Sequence, residues 1–358
     1  MNQNSPATAI VDTHRHLIGP ATSARMAEVG IYDPGRPLPQ ATDIDLFLHE
    51  DFVDQEVSVQ RQRAGGVTTA VVSSGGQVEF QARDVWRMAP SEAVKRILED
   101  RLALRELYPD DVEIMVDVDP FDERCAVTAI EALERHDAKA ISVASSWGVG
   151  GERRFLDDPD ATWLWELSSD RDIPVHIHPP LVPIGHEAQV EFRLMEAIGR
   201  PFDTTMTAAR LICAGVLDRF PHLRLIAVHM GGALAPVIGR LGFGWRLNYE
   251  GMPDHGRALR NQRHPEEYLR SNFWVDVVGF SPGGIRHAMS VFGDDRVMFG
   301  SDYGPVPISP REHVDLVRGL GLEAAQEAAI LAGNADRLFG LGLTAGAPLL
   351  DGSEPVTR

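Results

Sequence analysis

The chain has 358 residues, 44% of them hydrophobic and 24% charged, the balance of a globular protein with a sizeable buried core. Its formal charge of −18 argues against nucleic acid or an anionic membrane as partner, because a phosphate-binding face needs excess Lys and Arg. Two cysteines, Cys125 and Cys213, cannot build a disulfide framework and are expected as free thiols in a reducing cytoplasm. No apolar run approaches the roughly 20 residues of a membrane helix, and the N-terminal "MNQNSPATA" lacks the basic-then-apolar pattern of a secretory signal.

Eight short β-rich runs follow in chain order: 9–17, 68–75, 112–119, 138–146, 174–180, 223–231, 273–279 and 297–303. Most are rich in Val and Ile and apolar nearly throughout, as strands buried on both faces of a parallel sheet should be. Helical patterns lie between them. "SEAVKRILEDRLALRELY" (91–108) opens on a serine suited to an N-cap, and further patterns occupy 123–136, 160–172, 204–221 and 283–293. The alternation predicts one α/β domain over 1–358, a (β/α)8 TIM barrel. A doubly wound open sheet is the competing fold, but no G-x-G-x-x-G follows a strand. Long segments follow the first strand (19–56) and the fifth (180–203), where barrel loops build the active-site mouth. The tail 344–358 is predicted to be loosely packed.

The polar residues that interrupt these strands lie at their C-terminal ends. His14 and His16 end the first in "IVDTHRHLIG", His176 and His178 the fifth in "PVHIHPP", His229 the sixth in "VHMGG", and Asp302 the eighth in "FGSDYG". Residues i and i+2 of a strand share a face, so each His-x-His aims two imidazoles one way. A lone His-x-His is weak, and each residue alone has an ordinary reading as a core histidine or a turn carboxylate. Together, at one end of a barrel, they are most simply satisfied by a divalent cation with three or four protein ligands and an open position. His176 lies one step deeper than His178 and is expected to support the site or fill the core. Asp12 shares the face of His14 and His16 and is expected to support their imidazoles. Lys139 starts its strand rather than ending it, which favours one metal over a lysine-bridged pair.

This order of motifs resembles the amidohydrolase superfamily. More narrowly it resembles the metal-dependent decarboxylases typified by aminocarboxymuconate semialdehyde decarboxylase. The most specific part is "IGRPFDTTMTAARLICAGVLDRFPHLRLIAVHMGGALAPVIGRL", residues 198–241, and "FWVDVVGF" and "DDRVMFGSDYG" also fit. The resemblance implies His14, His16, His178 and Asp302 as ligands of one divalent ion per chain, Zn or Mn, with no organic cofactor. It implies His229, with Asp302, as the catalytic acid/base. The implied reaction is non-oxidative decarboxylation of a small aromatic or unsaturated carboxylic acid, by a homodimer or larger assembly. Trp147 is a candidate ring wall and Arg193 a candidate carboxylate clamp. The same ligands could serve a hydrolase of an amide, ester or lactone. A purely structural metal is disfavoured, since structural sites are closed and often cysteine-rich.

Overall fold

The computed structural model describes residues 9–41, 46–75, 77–249 and 258–343. The predicted loose tail at 344–358 and part of the 19–56 segment therefore lie outside the described residues. Among the described residues eight strands make the barrel, each within a predicted run: β1 (Val11–His16), β2 (Thr69–Ser73), β3 (Val112–Ile114 and Val116–Asp117), β4 (Ile141–Ala144), β5 (Val175–His178), β6 (Leu225–Ala227), β7 (Phe273–Asp276) and β8 (Val297–Met298). All neighbouring pairs from β1 to β8 run parallel. β3 changes partner midway: Met115 N donates to Val72 O of β2, and Val116 N to Ala140 O just before β4. The ring closes where Thr13 N donates to Phe299 O, Asp302 N to His14 O and His16 N to Tyr303 O. The expected closed eight-stranded barrel is therefore formed.

Helices cover the outside, including Pro90–Leu107, Cys125–His136, Thr162–Arg171, Arg200–Cys213 and Pro282–Phe292. Two local expectations need correction. Ala89, not Ser91, is the N-cap of Pro90–Leu107, because Pro90 takes the first helical position, where its missing N–H costs nothing. The helix expected at 204–221 begins at Arg200 and stops at Cys213; Gly215, at φ +74°, turns the chain before a short resumption at Val216–Arg219.

The segment after β1 is structured. It holds the helix Pro20–Glu28, a ribbon pairing Gln40–Ala41 with Phe47–Leu48, and the turn Glu50–Val53. Asp100 caps the helix by accepting from Ala21 N (2.8 Å) and Thr22 N (3.0 Å). Gly19 is needed there, because a Cβ would lie 2.4 Å from that carboxylate. A satellite cluster of Met26, Leu48, Phe52, Phe80 and Val85 includes Leu181 from the segment after β5, so the two long segments share a core.

Inside the barrel, Val11, Val71, Met115, Ala140, Ile226 and Met298 form an apolar bottom layer. The helix Asn334–Phe339 closes it with Ala335, Leu338 and Phe339. The polar groups gather at the other end.

Candidate metal centre

Val11 belongs to the bottom layer, yet His14 and His16, of opposite parity, point to the same interior. A strand of strict period two cannot do this. The pairing of β1 with β2 shifts register between Asp12 and Arg15, and this irregularity changes the phase. Arg15 is thereby sent outward, where it donates to Ser58 Oγ (2.6 Å) and lies over the Tyr303 ring at 4.2 Å.

His14 and His16 converge. Their rings meet edge to face with centroids 5.0 Å apart, and their Nε2 atoms are 3.2 Å apart. His16 Nε2 is also 3.2 Å from His178 Nε2. Asp302 Oδ1 lies 3.3 Å from His14 Nε2 and 3.1 Å from His16 Nε2. His14, His178, His229 and Asp302 have ligating atoms within 4.8 Å of one another. A four-coordinate ion with bonds of about 2 Å spaces its ligands about 3.3 Å apart, so these separations fit one.

The donor chemistry agrees. His14 Nδ1 faces Asp276 Oδ2 at 2.6 Å, and His178 Nδ1 faces Pro179 O at 2.8 Å. His16 Nδ1 faces Ser73 O at 3.4 Å. A carbonyl or carboxylate only accepts, so each Nδ1 carries a hydrogen and each ring turns its Nε2 to the centre. Three Nε2 atoms then face a carboxylate, an arrangement that calls for positive charge among them. A cation satisfies that arrangement, and these four residues fit a divalent metal.

The electrostatics point the same way. Burial pushes His14 down, but the Asp302 charge and the hydrogen bonds to Asp276 and Asp302 outweigh it and lift His14 to about 10. Burial lowers His16, and burial with the neighbouring imidazolium charges lowers His178 well below the usual range. Burial alone would raise Asp302, yet the histidines hold it well below the usual carboxylate range. Positive charge is favoured at the point the carboxylate and His14 share.

His229 borders the cluster. Its Nε2 is 3.4 Å from Asp302 Oδ2, and its buried Nδ1 has no hydrogen-bond partner. His229 and Met230 both adopt left-handed backbone (φ +56° and +57°), as does Asp302 (φ +55°), a conformation costing about 1–3 kcal/mol for a non-glycine residue. Asp276 holds this turn: its carboxylate accepts from His229 N (3.0 Å), Met230 N (2.8 Å) and Val278 N (3.0 Å). Sequence reasoning missed Asp276. The available signal was an aspartate closing the apolar run "FWVDVVG" at a strand end.

Other expected residues fall in different places. Asp12 does not touch the imidazoles; it accepts from His14 N (3.1 Å), Ser301 N (3.0 Å) and Ser301 Oγ (2.5 Å), tying the backbones of β1 and the β8 end together. His176 is fully buried and both its ring nitrogens lack partners; its ring stacks on His178 and meets His14 edge on. Trp147 is half-buried and packs against Phe121, and Arg193 is exposed in its loop at φ +55°. The cation nearer the centre is Arg200, which donates to Pro180 O (3.1 Å) and feels the Asp302 charge.

The amidohydrolase family profile matches residues 11–341. The chain belongs to the amidohydrolase family. It is 27% identical over 224 residues to 2-amino-3-carboxymuconate-6-semialdehyde decarboxylase of Dictyostelium discoideum, covering 61% of this chain and 59% of that protein. It is 26% identical over 191 residues to gamma-resorcylate decarboxylase of a Polaromonas species, covering 50% and 54%. The chain thus spans little more than half the length of these two curated relatives. Among solved structures, 5-carboxyvanillate decarboxylase of Novosphingobium aromaticivorans, complexed with manganese and 4-hydroxy-3-methoxy-5-nitrobenzoic acid, shares the fold with a TM-score of 0.74. That match has 23% identity and covers 93% of this chain and 96% of the other. The resemblance to this branch of the family, expected from 198–241, is found. Among the described residues, no helix is long and apolar enough to cross a membrane.

Proposed function

We propose that the chain is a metal-dependent, non-oxidative decarboxylase of an aromatic or unsaturated carboxylic acid. The observation that carries the metal is the cluster of three imidazole Nε2 atoms, those of His14 and His16 beside Asp302 Oδ1 and that of His178 beside His16 Nε2. The reaction class is supported by the family's decarboxylases to which the chain is similar. In this reading His14, His16, His178 and Asp302 hold one divalent ion. Manganese is the better-supported of the two metals expected, since it is the ion bound in the structurally similar 5-carboxyvanillate decarboxylase. Such an ion would orient the acid and withdraw negative charge from it.

The chain's own residues must supply a proton to the carbon that loses CO2. His229 Nε2 and Asp302 Oδ2, 3.4 Å apart, can share that proton and place it beside the centre. Asp276 keeps the His229 imidazole in place through the backbone on either side of the strained turn, and fixes the His14 tautomer. The long segments after β1 and β5 are read as walls of the substrate site. Incubating the manganese-loaded protein with hydroxybenzoates and related acids should release CO2 stoichiometrically with acid consumed. Turnover of amides, esters or lactones with no CO2 from any acid would replace this reading with a hydrolase.

A further inference from the structure

Next to the centre lies a small cavity of about 20 Å³, bordered by His16, Phe52, Ser74, Phe80, Gln81 and Arg101. On this scale it holds about one water-sized group. Phe52 and Phe80 are almost fully buried and make it apolar on one side. The polar side is unusual. Ser74 Oγ and Gln81 Oε1 are buried and have no hydrogen-bond partner, in residues only 7% and 6% exposed. Their neighbours are already engaged. Arg101 donates to Leu17 O and faces Asp117 Oδ2 at 3.8 Å, and Asp100 caps the helix Pro20–Glu28. The unmet atoms are thus a hydroxyl oxygen and an amide oxygen, both able to accept, and buried acceptors are costly to leave unpaired.

We propose that this cavity takes a single hydroxyl or amino substituent of the acid, which donates to Gln81 Oε1 with Ser74 Oγ beside it. The assignment rests on the reading of the adjoining centre as a decarboxylase site, and it names Gln81 and Ser74 as the residues that choose between substituents at one ring position. A methoxy group is excluded by having two heavy atoms and no donor. A second carboxylate is excluded by size and by the Asp100 carboxylate at the cavity wall.

The test compares each hydroxybenzoate with the methylbenzoate of the same ring position, using calorimetric binding and CO2 release on the full manganese-loaded chain. At one ring position the hydroxyl acid should bind about tenfold or more tightly than its methyl counterpart. In Gln81→Leu that preference should fall to about twofold or less, and in Ser74→Ala it should fall by a smaller factor. A preference conferred by the metal would persist in both variants. An unchanged preference in folded Gln81→Leu, or in Ser74→Ala if the first variant does not fold, overturns the proposal, as does the absence of any preference in the unmodified chain. If no acid releases CO2 but the binding preference appears and collapses in the variants, the cavity assignment stands and the decarboxylase reading falls.

Discussion

The chain carries the same three-residue pattern twice, His14-x-His16 on β1 and His176-x-His178 on β5, and the two behave differently. The β5 pair has the geometry of a regular strand: the rings are nearly parallel, with an interplanar angle of 15° and centroids 6.3 Å apart. Only His178 of the pair brings a ring nitrogen against another imidazole nitrogen, that of His16 at 3.2 Å. The β1 pair is folded inward, with an interplanar angle of 80° and centroids at 5.0 Å. The difference lies in the backbone. β5 keeps register with both neighbours, whereas β1 slips against β2 just where its histidines begin. A motif of spacing two therefore supplies parallel side chains by default, and a strand irregularity is what turns both β1 imidazoles to the centre.

Substitutions can break this comparison. The largest effect is expected for His178→Ala, which should abolish stoichiometric metal in the purified protein and all turnover. Its loss of affinity should exceed the about 10–100-fold that removal of a supporting group costs. His14→Ala should match it, as measured by metal analysis and calorimetric titration. His229→Ala should retain metal and lose about 10²–10⁴-fold in kcat. Equal metal loss in His178→Ala and His229→Ala would mean that His229, not His16, completes the ligand set.

Asp276→Asn should cost about 10–100-fold in metal affinity, because an amide can donate to His14 Nδ1 and destroy the tautomer that exposes Nε2. His176→Leu sharpens the contrast from the other side. It should retain a full equivalent of metal, and unfolding by urea should show stability unchanged or raised by about 1 kcal/mol, since both ring nitrogens are buried without partners. Metal loss in that variant would show that the β5 pair also works as a pair.

An effect on stability alone concerns a buried carboxylate with no cluster of histidines around it. Burial pushes Asp119 up to about 6, against the low value of Asp302. The folded state then holds the proton more tightly than the unfolded chain between about pH 4 and 6, so this residue's contribution falls as pH rises through that window. Asp119→Asn should therefore stabilise the fold by about 1–2 kcal/mol at pH 7.5 and by almost nothing at pH 4, read from urea unfolding at both.

Much of this architecture was legible in the sequence because strands covered on both faces are written as Val- and Ile-rich runs, and a histidine or aspartate interrupting such a run stands out. His14, His178 and Asp302 were readable for that reason. Asp276 was not, because a single strand-end aspartate looks like any turn residue until its partner, 262 residues away, is known. The role of Asp12 was misread for a related reason: parity placed it beside the imidazoles, but the register slip gave it the backbone N–H groups of His14 and Ser301. Arg193 was the candidate clamp, and Arg200, in the same 180–203 segment, was passed over. The helix extends further back than its apolar periodicity suggested, and its first residue, Arg200, is the half-buried cation.

The seam between β1 and the end of β8 has a consequence for how the protein is made. Asp12 and Ser301 are 289 residues apart, and the hydrogen bonds joining them lie directly under the ligands. At about 5–20 residues per second, a ribosome exposes His14 and His16 tens of seconds before Asp302 exists. Until then the first strand has only one edge partner, and the histidines have no carboxylate to face. The centre is completed by the final strand, so metal retention doubles as a test that the barrel has closed.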